Sequence, residues 1–290
     1  MKTVVISGAS GFIASNIAGE LKKAGLRTVG ISHSASSLPY FDKVYSGRLG
    51  SPLPPIWKKE NIFSFIHCAH HFGEEEFSIN VTGTISWSHE LLKAGVPLQI
   101  FMSSVSSQKD SPSSYARAKY VLERWFVSHG GLCLRLGLVI GNRGVFGRMI
   151  SLVKNYPILP LLDKGKTNVC LTGMNFLSDF MRNILTQDNF FYKGKAINFF
   201  QPKTVTMKEL LNEIKKLFNT SCLLIPVPSY VLLFLIRMME CIPFFPTKVS
   251  SNNIIGLRGN KEKNHKSEWE ALGYPEKNLK ELIQLNISGL

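Results

Sequence analysis

Thr3-Val4-Val5-Ile6-Ser7-Gly8-Ala9-Ser10-Gly11-Phe12-Ile13-Ala14 opens the chain and decides how the rest is read. Thr3 to Ser7 is a short apolar run, the mark of a buried strand. Ile13, Ile17, Leu21 and Ala24 then recur at helical spacing, and Gly25 closes the helix. A glycine turn lies between the two. Gly8 permits a tight turn, Gly11 lets the backbone approach a pyrophosphate, and the small Ala14 lets helix pack closely on strand. The helix N-terminus offers unpaired N–H groups and the positive end of a dipole to phosphates. Gly8, Ser10, Gly11, Phe12 and Ile13 are therefore the expected dinucleotide-binding residues of this turn.

The pattern continues outward. Arg27 to Ser32 reads as a second strand, and Phe63 to Cys68 as another. Val81 to Ala94 reads as a helix, Leu98 to Ser103 as a strand and Tyr115 to Ser128 as a helix. Cys133 to Ile140 reads as one continuous strand. Alternating β and α elements with unbroken apolar strands predict an α/β fold: a Rossmann, doubly wound parallel sheet with helices on both faces. Residues 1–145 form the expected NAD(P)-binding domain, with later segments completing its sheet. Residues 146–290 form a smaller C-terminal substrate lobe. There Met207 to Phe218 and Lys280 to Leu285 read as helices, and Gly144 to Gly147 as either a mobile loop or a simple turn.

Composition narrows the function classes. The chain has 290 residues, 44% of them hydrophobic, and a formal charge of +14. Such a chain can bury a sizeable core without disulfides. Its five cysteines, Cys68, Cys133, Cys170, Cys222 and Cys241, form no C-x-x-C pair and signal neither a disulfide framework nor a zinc site. His67, His70 and His71 with Glu74, Glu75 and Glu76 read as a cofactor-side loop rather than a metal site. The basic balance favours anionic partners. No block of like charges and no nucleic-acid motif occurs, so nucleic acid is not an expected partner. Gly8 and Gly11 interrupt the N-terminal apolar run too early for a signal peptide, and the chain reads as cytoplasmic. Tyr230 to Phe245 is cut by Arg237, Glu240 and Pro243 and reads as a buried helix; peripheral membrane contact and a homodimer stay open.

Two further features carry chemistry. Where an NAD enzyme would place a carboxylate for the ribose 2′-hydroxyl, at the end of the second strand, this chain has Ser32-His33-Ser34. Ser32 joins the expected cofactor residues. NAD and NADP both remain, with a slight lean to NADP, although no arginine follows in that place. Tyr115 and Lys119 stand four apart, on one face of a helix. A nearby ammonium favours a phenolate, which can exchange a proton with a substrate hydroxyl while a hydride leaves the same carbon. Ser104, ending the preceding strand, can orient that oxygen. Ser104, Tyr115 and Lys119 are the expected catalytic set.

In this order the motifs resemble the extended short-chain dehydrogenase/reductase superfamily, specifically the NAD-dependent epimerase/dehydratase family. The likeness runs through Gly8-x-x-Gly11-Phe12-Ile13, Ile66-His67-Cys68-Ala69, Asn80-Val81-Thr82-Gly83-Thr84, Ser103-Ser104, Tyr115-x-x-x-Lys119 and Leu134 to Gly141. It implies that Cys68, Ala69 and His70 line the nicotinamide channel and that Asn80 supports the site. Tyr115 and Lys119 would also touch the cofactor. It implies a UDP- or dTDP-linked sugar as substrate, with Arg143, Arg148, Lys166 and Arg258 as candidates for its diphosphate. Three departures stand out. Val105-Ser106-Ser107 follows Ser104 where the family's dehydratases carry Asp-Glu, which disfavours 4,6-dehydration. The segment from Ser104 to Tyr115 is short. Asn175 stands where an aspartate is common. The expected function is a nucleotide-sugar epimerase or 4-keto reductase. The alternatives are a non-catalytic dinucleotide-binding accessory protein and a reductase of a small non-sugar carbonyl compound.

Overall fold

The computed structural model describes residues 2–33, 37–187, 190–228 and 266–287. The stretch Tyr230 to Phe245, Cys241 and Arg258 lie outside the described residues.

Seven parallel strands form the central sheet, in the order β11-β6-β5-β4-β1-β2-β3. They are β1 (Thr3–Ser7), β2 (Arg27–Ser32), β3 (Lys43–Ser46), β4 (Ile62–His67), β5 (Leu98–Ser104), β6 (Leu132–Leu136) and β11 (Ala196–Phe199). Alternate residues of each strand feed opposite faces, as the period of two requires. Val4, Ile6, Ile66, Ile100 and Leu134 join the core under α1 (Phe12–Lys23) and α5 (Met174–Thr186). Val5, Phe65, Phe101 and Cys133 face the other way, toward Trp87 and Leu91 of α2 (Glu76–Lys93) and Leu122 and Phe126 of α3 (Ser114–Ser128). Both faces are covered, as an all-parallel sheet needs. Strand order reverses between β1 and β4, which opens a crevice at their carboxyl ends.

Three sequence expectations change. The continuous strand from Cys133 to Ile140 is broken at Gly137, where a side chain would strike the Cys170 carbonyl oxygen at 2.3 Å. Beyond the break, β7 (Leu138–Ile140) leaves the main sheet and pairs with β10 (Leu171–Gly173). Gly144 to Gly147 is neither a loop nor a turn; it is the start of α4 (Gly144–Asn155). Helix α2 begins at Glu76 rather than Val81: Phe77 stays exposed, Ile79 packs against the core and Asn80 is buried. The strand β3 had no sequence reading; it is short, half-exposed and at the sheet edge.

A second core gathers small pieces of the chain. Phe146 and Val153 of α4 meet Leu161 of β8 (Ile158–Leu162), Leu210 and Ile214 of α6 (Met207–Leu217), and Leu282 and Ile283 of α7 (Leu279–Asn286). Three two-stranded sheets hold it: β7 with β10, β8 with β13 (Leu223–Val227), and β9 (Asn168–Val169) with β12 (Val205–Thr206). Thr206 and Glu209 cap α6 reciprocally. The chain passes back to the first layer for α5, β11 and Trp269, so the two cores share one backbone path more than once. No described helix is long and apolar enough to cross a membrane.

Candidate active site

The glycine turn is shaped by what lies behind it. Gly8 has φ +68°, and a Cβ there would fall 2.9 Å from the Ala69 backbone nitrogen and Cα. Only glycine fits both demands. Gly11 N–H donates to the Gly8 carbonyl at 2.8 Å, and α1 starts at the next residue. Gly8, Ser10, Gly11, Ser32, Cys68, Ala69 and His70 line one crevice of about 740 Å3. Phe12 and Ile13 differ: both pack against the core, with the Phe12 ring under Gly141 and Gly144. Asn80 is buried, accepts from His71 N–H at 2.9 Å and donates to the His71 carbonyl at 2.8 Å, fixing the loop after β4.

A buried polar set beneath the turn was not legible in the sequence. Cys68 N–H and Ala69 N–H both donate to the Ser7 hydroxyl, at 3.2 and 3.3 Å. With both lone pairs used, Ser7 must donate its own proton to His67 Nδ1, 3.0 Å away. His67 Nε2 then carries the ring proton and donates to Thr84 Oγ1 at 3.0 Å. Burial, with the Lys119 charge adding to it, lowers the His67 imidazole to about 3. The unfolded value is near 6.5, so the resulting stability is complete above that pH and is lost as pH falls from there toward about 3. The loss amounts to roughly 5 kcal/mol over the window. Urea unfolding midpoints measured from pH 7 to pH 4 should drop steeply for the native chain and much less for His67→Gln; parallel curves would remove His67 from the account.

Tyr115, Ser104 and Lys119 converge at the carboxyl edge of β5. Burial raises the Tyr115 phenol above its ordinary value, while the Ser104 hydroxyl, in hydrogen-bonding reach, pulls it back. Ser104 also accepts from Ser106 N–H at 3.2 Å and shares a 2.8 Å contact with the Ser106 hydroxyl. Ser106 is thus a second hydroxyl at the site that spacing alone did not single out. Lys119 is buried, donates to the Met102 carbonyl at 2.7 Å, and lies 4.6 Å from the Phe101 ring centre and 5.6 Å from that of Tyr115. Burial brings its ammonium down to about 8. His70 meets the Tyr115 ring edge-on, with centroids 5.0 Å apart, and so joins the crevice to the tyrosine.

The basic residues expected for a diphosphate lie in different places. Arg143 donates to the Ser10 carbonyl at 3.3 Å, beside the glycine turn. Arg148 and Lys166 are exposed on the second lobe. Arg48 had no sequence reading, yet it lines the crevice with Ser32 and His33. Parallel pairing of β2 with β3 brings it there: Ser32 lies opposite Ser46, and Gly47 N–H bonds the Ser32 carbonyl at 2.9 Å. Asn175 ties α5 to the chain end, through Asn286 Oδ1 and the Leu285 carbonyl.

No family model matches the sequence, and no curated protein matches it. Solved structures do. UDP-glucose 4-epimerase from Thermotoga maritima, determined with UDP-glucose, is similar at 15% identity with a TM-score of 0.74, over 98% of this chain and 97% of that one. MoeE5 in complex with UDP-glucose and NAD is similar at 19% identity and TM-score 0.67, over 78% and 85%. The dTDP-glucose 4,6-dehydratase of Bacillus anthracis with NAD gives 14%, 0.65, 94% and 100%. The described chain therefore has the Rossmann fold found in nucleotide-sugar epimerases and dehydratases.

Proposed function

We propose that the chain is an NAD(P)-dependent enzyme of the extended short-chain dehydrogenase/reductase superfamily, acting on a nucleotide-linked sugar as an epimerase or 4-keto reductase. The observation that carries this reading is the meeting of Tyr115, Ser104 and Lys119 beside a crevice built on Gly8 and Ala69. The residues present fit a dinucleotide: a turn with no Cβ at its tightest point, a helix N-terminus, and polar groups at the end of β2. Bound NAD(P) supplies the hydride acceptor or donor. Tyr115 takes the proton of the substrate hydroxyl, or returns it in reduction. Ser104 holds the substrate oxygen and the phenol together. Lys119 lends positive charge beneath the ring and binds the ribose.

Ser32 brings no carboxylate to the ribose, and Arg48 brings a guanidinium to the same end of the crevice. A 2′-phosphate gains a charge-assisted partner there, so the cofactor reading is NADP. Native mass spectrometry of the co-purified ligand, then NADH and NADPH titration with UDP- and dTDP-hexoses, tests both levels. The expected result is NADP(H) bound at least about tenfold tighter than NAD(H), a gap of roughly 1.4 kcal/mol, closed by Arg48→Glu. Dinucleotide binding with no turnover of any sugar or carbonyl compound would leave a non-catalytic binding protein.

A further inference from the structure

Glu76 opens α2, yet its carboxylate works outside that helix. One oxygen receives His70 Nε2 at 2.8 Å; the other accepts from the Ser114 hydroxyl at 2.5 Å. His70 belongs to the loop after β4 that lines the crevice. Ser114 begins α3 and precedes Tyr115. One carboxylate therefore spans the gap between the cofactor-side loop and the tyrosine helix. It lies in the first turn of α2 and against the first turn of α3, where both helix dipoles favour negative charge. It is mostly shielded, with 19% of its side chain exposed against 10% for His70.

We infer that Glu76, held by His70 and Ser114, is a positioning residue for Tyr115: it locks the rotation of the phenol ring through His70 and sets a negative charge beside the phenol. This rests on the reading of Tyr115 as the acid/base group, but it concerns a residue that the Ser-Tyr-Lys set does not include. The groups facing the phenol are Glu76 from α2, His70 from the loop, Ser104 from β5 and Lys119 from its own helix, with His71 flanking His70. Glu76 raises the phenol, because two neighbouring negative charges oppose each other. Burial and Lys119 hold His70 down near about 4, against the pull of Glu76, so the ring is neutral at pH 7. A neutral ring facing a carboxylate carries its proton on Nε2, and Nδ1 has no hydrogen-bond partner among the described residues.

The test needs no substrate. The chain is produced with 3-fluorotyrosine, which lowers every phenol into a range the fold survives, and the Tyr115 line in the fluorine spectrum is assigned with Tyr115→Phe. Glu76→Gln should lower the Tyr115 midpoint by at least about half a pH unit, and Glu76→Asp should restore it. A nitrogen-15 spectrum of the unmutated protein should show His70 protonated on Nε2 at pH 7. A Glu76→Gln midpoint that stays put or rises overturns the inference. So does an Nδ1-protonated His70, a result that stands even if Glu76→Gln fails to fold. If these outcomes appear as expected while Tyr115→Phe keeps full turnover, the acid/base reading fails and the positioning does not.

Discussion

On the proposed acid/base reading, Tyr115→Phe should lower kcat for hydride transfer by about 10²- to 10⁴-fold and leave the dinucleotide Kd within about threefold. The substitution removes one oxygen and keeps the ring. His70 still has an edge to meet, and Lys119 still has its Met102 carbonyl and the Phe101 face. What disappears is the hydroxyl that, on the proposed acid/base reading, exchanges a proton with the substrate oxygen. The barrier rises by roughly 3–5 kcal/mol, the size of a lost general acid/base. The protein alone does not make Tyr115 a strong base: burial raises the phenol, and the same burial lowers Lys119 to about 8. The pair is therefore poised for a bound positive ring to complete. Single-turnover rates with a saturating dinucleotide, read beside fluorescence binding, separate the two quantities. Unchanged turnover would mean that another group carries the proton. A large loss of binding would mean that the ring, not the hydroxyl, is what matters.

The parts of this molecule that were legible in the sequence are those set by local pattern. Val4 to Ile6 is an apolar run because the strand is buried on both sides, and the helix after Gly11 declares itself by spacing. Tyr115 and Lys119 share a helix face, so their meeting followed from geometry. The illegible parts depend on contacts made across the fold. The Cys133 to Ile140 run is mostly apolar on both sides of its break, and the Cys170 carbonyl, which crowds Gly137, marks where it divides. Arg48 reaches the crevice beside Ser32 because β3 pairs with β2, and β3 is too short and exposed to show itself. In the sequence Glu76 is one of three consecutive acids in a cofactor-side loop. Its contact with Ser114 joins residues 38 apart in sequence. Ser7 and His67 look like ordinary strand ends until pairing of β1 with β4 sets them side by side.

That pairing also gives the second large effect. Gly8→Ala weakens dinucleotide binding by at least about 100-fold, whereas Gly25→Ala leaves it unchanged. Both glycines have φ near the left-handed region, +68° and +77°, so each alanine meets the same backbone strain of about 1–2 kcal/mol. Their surroundings differ. Nothing lies within 4 Å of the Cβ at Gly25, so strain is the whole cost. At Gly8 the added carbon strikes the backbone of Ala69 at 2.9 Å, and one of the two must move. Ala69 N–H and Cys68 N–H are tied to Ser7, which is tied in turn to His67 and Thr84. Displacing that segment disturbs the crevice wall and a buried hydrogen-bond chain together. Urea midpoints should place both variants below the native chain, with Gly8→Ala the lower, and dinucleotide titration should separate them cleanly. Equal binding by the two variants would mean that the turn closes the sheet without holding a ligand.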